Sequence, residues 1–272
     1  MPARTAARDE ARGHAGGHLL TGSEPSLWLL AVGAAAAGFV QGLSGFAFGM
    51  IATSIWVWGV EPRIAAVLTV LGGLTGQLLQ AFTMRRGLRM AALTPFLLGA
   101  AVGVPLGVAV LPHLDAALFK LTLGVILVVC CPAMLWAHDL RGFTFGGRLA
   151  DAAAGAVGGL MGGLGGFPGV VPTMWCTLRG WDKDLQRTVV QNFNLAALAS
   201  TFAIYLATGA VTRDMLPLTA VVIPAVIVPS WLGARVYVGL SALAFRRVVL
   251  TLLTGAGVAM IVAGAKALAH PA

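Results

Sequence analysis

Apolar residues dominate this chain in long uninterrupted runs, and polar residues fall in short clusters between them. Eight such runs are legible, over about 26–58, 64–82, 90–112, 117–137, 150–178, 186–208, 214–236 and 247–268. A membrane-crossing helix needs roughly 20 apolar residues, so the pattern predicts an all-α integral membrane protein of about eight transmembrane segments. The first and fifth runs exceed one straight helix and carry glycine-rich interruptions. They are expected to be broken or re-entrant. Residues 1–24 are polar and basic, and read as a disordered tail. Cleavage as a signal peptide is not expected, because the run from Leu27 forms one half of an internal repeat.

That repeat is carried by the two interruptions. Gly38-Phe39-Val40-Gln41-Gly42-Leu43-Ser44-Gly45-Phe46 aligns with Gly159-Leu160-Met161-Gly162-Gly163-Leu164-Gly165-Gly166-Phe167 at a spacing of 121. A second block supports it at a spacing of 126, where Gly107, Leu114, Ala116, Phe119 and Lys120 meet Gly233, Leu240, Ala242, Phe245 and Arg246. The organisation expected is membrane repeat 1 at 26–137, a linker at 138–149 and membrane repeat 2 at 150–268, each with four segments.

Composition agrees with the membrane reading. Hydrophobic residues make up 58% of the 272 and charged residues only 10%, against about 25% in soluble domains. The net charge of +8 is scattered over short loops without interleaved aromatics, which excludes a nucleic-acid surface. It decides topology instead. If all eight segments cross, the repeats are parallel and the basic residues divide almost evenly. If the first and fifth are re-entrant, the repeats are inverted. Then Arg85, Arg86, Arg89, Arg141, Arg148, Arg179, Lys183, Arg187, Arg235, Arg246 and Arg247 share one face, and Arg63, Lys120, Arg213 and Lys266 the other. The positive-inside rule favours the inverted arrangement and makes the first face cytoplasmic.

A duplicated break in paired membrane helices points to a transporter's binding site. A half-helix starting after each break turns N–H groups and a positive dipole end toward the cavity, which suits an anion without any buried lysine or arginine. The expected donors are the backbones of Gly45, Phe46 and Gly49 in one half and of Gly166, Phe167 and Gly169 in the other. The Gln41 amide and Ser44 hydroxyl add side-chain hydrogen bonds. Pro168 and Pro172 reinforce the second break. Gly99, Gly103 and Gly107 read instead as a helix-packing motif. Further amides lie within the spans at Gln77, Gln80, Gln191, Asn192 and Asn194. Asn192 and Asn194 either line the cavity or bind helices together.

Asp151 and Asp214 sit only at segment starts, and the five histidines lie outside the spans or at their ends. An intramembrane proton relay is therefore not expected. The three cysteines form no disulfide or metal pattern. No cofactor and no metal is expected; the partners are a small anion and the lipid bilayer.

Both glycine-rich blocks, the second as Gly162-Gly163-Leu164-Gly165-Gly166-Phe167-Pro168-Gly169-Val170-Val171-Pro172, and the following Leu178-Arg179-Gly180 resemble the TauE/SafE, or sulfite exporter, family of bacterial permeases. The resemblance spans nearly all of 26–268. It implies two repeats, each opened by a glycine-rich block, and export of sulfite, sulfonates or related organosulfur anions through the bacterial inner membrane. This chain differs from the frequent triple-glycine form in having Leu164 within the second block, and it carries Ser44 in the first. A channel-like passive anion facilitator would share every feature described. An assembly protein of the membrane would show no solute flux. Gly42-Leu43-Ser44-Gly45 also matches the G-x-S-G of intramembrane serine proteases, but no base lies within a span to activate the serine, so an enzyme is not expected.

Overall fold

The computed structural model describes residues 27–83, 87–136, 146–236 and 242–269. The expected N-terminal tail and residues 138–145 of the expected linker lie outside them. The described residues are helical apart from short connections. In chain order the helices are α1 Leu27–Ser44, α2 Phe48–Trp56, α3 Pro62–Thr83, α4 Met90–Val110, α5 Ala116–Trp136, α6 Gly147–Gly165, α7 Val170–Leu178, α8 Lys183–Ala207, α9 Leu216–Val236 and α10 Ala242–Ala269. Each expected apolar run corresponds to one helix or, for the first and fifth, to a helix, a break and a nine-residue helix. The protein is an all-α integral membrane protein.

Both breaks are folded back into hairpins. In the second, Gly162 lies against Pro168 and Gly158 against Pro172. Deeper toward the base, Asp151 on α6 bonds Trp175 and Arg179 at the end of α7. Residue numbers fall along α6 as they rise along α7, so α7 returns toward the face from which α6 enters. In the first hairpin Gly33 packs on the Trp56 indole and Leu29 on Gly59, with the same consequence. By length and composition α1 is one of seven described helices able to cross a bilayer. The chain nevertheless comes back beside it.

Glycine seams join the hairpins to the rest. Gly99, Gly103 and Gly107 of α4 face the backbones of Ala152, Ala156 and Leu160 on α6. Both series advance by four residues, so the two helices run parallel, backbone to backbone. Gly38 and Gly42 of α1 lie against Val226 and Ser230 of α9 in the same manner. The other face of α4 carries Leu98, Val102 and Leu106, 65%, 61% and 53% exposed, which marks a lipid-facing stripe beside a buried small-residue stripe. Trp28 and Trp58 near one end of the bundle, and Trp136 at the other, are exposed as interfacial anchors are.

Two further pairs run antiparallel. On α3 and α8, Gly73 meets Leu198 while Gln80 meets Gln191. On α5 and α10, Gly124 meets Gly257 while Ala117 meets Gly264. Within each of these two pairs the helices therefore point in opposite directions.

The seams set a stability test. A Cβ at Gly103 would fall on the Ala156 carbonyl, and two main chains cannot part without separating α4 from α6. Gly103→Leu should cost about 3 kcal/mol or more and strongly reduce folded protein. Gly255→Ala on α10, where a Cβ meets nothing within 4 Å, should leave the melting temperature in detergent unchanged or slightly raised. Equal melting behaviour of the two variants would contradict this packing.

Candidate functional site at the two helix breaks

The breaks arise from one backbone feature repeated. Gly45 has φ +84° and Gly166 has φ +76°, a left-handed conformation that a side chain opposes. Each ends its helix with a normal turn bond, Gly45 N–H to the Gln41 carbonyl at 2.7 Å and Gly166 N–H to the Gly162 carbonyl at 2.9 Å, and the chain then reverses. These two N–H groups are thus satisfied within α1 and α6. The expectation that they donate to a ligand is corrected.

The breaks meet each other. Gly49, in the first turn of α2, lies against the Gly166 carbonyl and the Phe167 Cβ. Gly169, the residue preceding α7, lies against the Phe46 Cβ and the Asn194 amide. The surrounding helices join reciprocally. Gly45 faces Gln191 on α8, and Gly166 faces Thr69 and Val70 on α3. Adding 121 to Gly45 gives Gly166, and subtracting 121 from Gln191 gives Val70, so one contact is the image of the other.

Glutamines satisfy the interrupted backbone of the first hairpin. Gln77 donates to the Gly45 carbonyl at 2.7 Å, Gln80 to the Gln41 carbonyl at 3.0 Å, and Gln41 to the Gly73 carbonyl at 3.0 Å. Gln191 completes the set by donating to the Gln80 side-chain oxygen at 3.0 Å. All four side chains are buried. Gln41 is therefore a structural member of this network through its NH2 group.

Ser44 is likewise engaged. Its hydroxyl donates to the Val40 carbonyl at 2.8 Å and accepts from the N–H groups of Ala47, at 3.2 Å, and Phe46, at 3.4 Å. It closes the entry to α2 where a free donor was expected. Asn192 lies apart from the breaks, donating to the Gly87 carbonyl at 3.1 Å and the Thr188 carbonyl at 2.9 Å. Of the expected residues, the structure brings together Gly45, Phe46, Gly49, Gly166, Phe167, Gly169 and Asn194.

Among the described residues, six buried side chains hold a polar atom with no protein partner: Gln41, Trp56, Thr69, Thr173, Asn194 and Ser230. All six lie on the hairpins or against them. Three surround the second break: Thr69 at Gly166, Asn194 at Gly169, and Thr173 in the first turn of α7. Thr69, Thr173 and Tyr205, which donates to the Gly163 carbonyl at 2.6 Å, were not expected from the sequence. The only available signal was the 121-residue spacing, which carries the first break onto α8 and the second onto α3.

At the base of the second hairpin, Asp151 is 4% exposed. Its carboxylate accepts from Arg179 Nη1 at 2.6 and 2.7 Å and from the Trp175 indole at 2.7 Å. The segment-start position expected for Asp151 is thus a buried clamp between α6 and α7.

A family model described as "Sulfite exporter TauE/SafE" matches residues 29–260. The chain belongs to this family. It is a multi-pass membrane protein of a transporter family, and the matched span contains both breaks. No curated protein and no solved structure is detectably similar to it.

The clamp gives a test of the hairpin. Asp151→Ala leaves the Arg179 guanidinium without its partner, and should cost on the order of 3 kcal/mol. Arg179→Ala should cost a similar amount. The double variant should be less destabilised than the two single effects added, as measured by melting in detergent.

Proposed function

We propose that this protein carries a small organosulfur or sulfur oxyanion across the bacterial inner membrane, and that the anion sits at the second break. The observation that carries the reading is the group of unpartnered polar side chains around the start of α7. Buried polar groups are normally paired, and here the hydroxyls of Thr69 and Thr173, which can donate to an anion, lack a partner around one hairpin, as does the Oδ1 of the Asn194 amide beside Gly169. A helix N-terminus adds N–H groups that have no intrahelical acceptor and a positive dipole end. The start of α7 has no side-chain cap. The start of α2 likewise has no side-chain cap, Ser44 taking the N–H groups of Phe46 and Ala47 just before it, but there the Gly166 carbonyl abuts Gly49.

The contacts also support two inverted repeats, at 26–137 and 150–268. A hairpin that enters and leaves on one face, followed by three crossings, reverses the direction of the second repeat. Antiparallel α3 and α8, and antiparallel α5 and α10, fit that order. The face carrying the eleven basic residues is then the cytoplasm. Sulfite, sulfonates and related anions suit uncharged donors, which bind without trapping. For an anion leaving a negative-inside cell, the potential contributes about 2.3 kcal/mol per charge per 100 mV, so export needs no coupling ion.

Two outcomes are expected in proteoliposomes tested with oxyanions, sulfonates and carboxylates at fixed potentials. Asn194→Ala should reduce flux at least about tenfold, the loss of its NH2 group beside Gly169 as a donor to the anion, while leaving the melting temperature near that of the parent. Undiminished flux in that variant would remove Asn194 from the site. Sulfonate flux should also stay nearly flat around neutral pH. A steep response to an imposed proton gradient at clamped potential would reveal a titrating group in the transport cycle.

A further inference from the structure

The starts of α4 and α8, on the basic face, enclose a cavity of about 640 Å³. Small-ligand sites run from about 300 to 1,000 Å³. Arg89 and Ala91 stand in one wall, and Asp182, Asp184 and Thr188 in the other. No residue of either hairpin lines it, so it is separate from the anion site proposed above. Its charges are held apart. Asp182 spends one carboxylate oxygen on the N–H groups of Asp184 and Leu185, as the N-cap of α8. Among the described residues, Arg89 and Asp184 form no ion pair, with each other or with a neighbour, although they line one space. A purely anionic ligand would meet two carboxylates there, and a purely cationic one the guanidinium. A zwitterion with its two charges on a short linker satisfies both walls.

The position of the cavity says where such a zwitterion comes from. The spans that begin at Met90 and Lys183 have 24 and 25 residues, longer than the roughly 20 that the hydrocarbon core takes. Their first turns therefore lie at the depth of lipid headgroups. Leu88 and Met90, apolar and exposed, form its lip. Ala91 stands two turns before Leu98 on the same face of α4, and both are exposed. The cavity thus meets the lipid-facing stripe of Leu98, Val102 and Leu106.

We propose that this cavity seats the headgroup of a phosphatidylethanolamine lipid. Its phosphodiester lies against Arg89, its primary ammonium against Asp184 and Asp182, and its acyl chains along the Leu98 stripe. The ammonium donates N–H bonds to the carboxylates, and such charge-assisted bonds are the strong ones. A choline headgroup has no N–H to give. A glycerol headgroup brings a net negative charge toward two aspartates. The bound lipid joins the start of α4 to the start of α8, one turn before Asn192 bonds the Gly87 carbonyl. This site is independent of what the protein carries.

The test titrates delipidated full-length protein in detergent with phosphatidylethanolamine, phosphatidylcholine or phosphatidylglycerol of matched chains. Binding is read by native mass spectrometry and by the shift in melting temperature. The parent should hold phosphatidylethanolamine about tenfold more tightly than either other lipid, the worth of one hydrogen bond to a charged group. Asp184→Asn should bring phosphatidylethanolamine down to the level of phosphatidylcholine. Arg89→Gln should weaken all three lipids several-fold. Both positions are exposed, and should either variant not be recovered folded, the other decides. Asp214→Asn, on the opposite face, should keep the preference. Equal retention of the three lipids by the parent, a preference that survives both cavity variants, or its loss in Asp214→Asn would overturn the site. Displacement of the lipid by an equal concentration of water-soluble glycerophosphoethanolamine would also overturn it, by making the cavity a site for a free solute.

Discussion

Backbone polar groups inside a bilayer have no water to turn to, and this constraint governs the centre of the molecule. An interrupted helix leaves carbonyl and N–H groups open at a depth where each orphan costs several kcal/mol. The first hairpin answers with side chains. Gln77 and Gln80 reach from α3 to the Gly45 and Gln41 carbonyls, and Gln41 reaches back to Gly73. The second hairpin is supported differently, with Tyr205 on the Gly163 carbonyl and several polar side chains left open. At the first break glutamines meet the interrupted carbonyls, while at the second the Thr69 and Thr173 hydroxyls stay without a protein partner.

Close helix packing makes those central arrangements possible. Hydrophobic burial does not drive helix association in lipid, so close backbone approach and hydrogen bonding must do so. The α4–α6 and α1–α9 seams supply that approach. Each places one leg of a hairpin against a crossing helix of the other half. The halves are consequently interlocked, and neither hairpin is held by its own repeat alone.

Much of this arrangement was legible in the chain. Apolar runs locate the helices to within a few residues, because length and hydropathy are the same constraint that the bilayer imposes. The paired glycines at Gly45 and Gly166 locate both reversals, since a left-handed turn leaves few alternatives to glycine. What remained hidden was which donors are already used. Ser44 and the two reversal N–H groups look free in the sequence and are consumed locally by turns that no periodicity displays. Asn192 and Asn194, two residues apart, project to different sides of α8, and only the packed helix separates the residue against Gly169 from the one bound to Gly87. The Asp151 clamp was missed because its partner lies at the end of a return path that linear spacing does not show.

The seams also have a bearing on assembly during synthesis. Hairpin two emerges from the ribosome after its packing partner α4, and α6 does not rank among the helices apolar enough to cross on their own. It can be received by a groove already waiting in the membrane. Hairpin one has the reverse problem, because Gly38 and Gly42 must await Val226 and Ser230 near the end of the chain. Its first leg does qualify as a free-standing span. The unequal greasiness of two otherwise equivalent hairpins thus matches the order in which their neighbours are made.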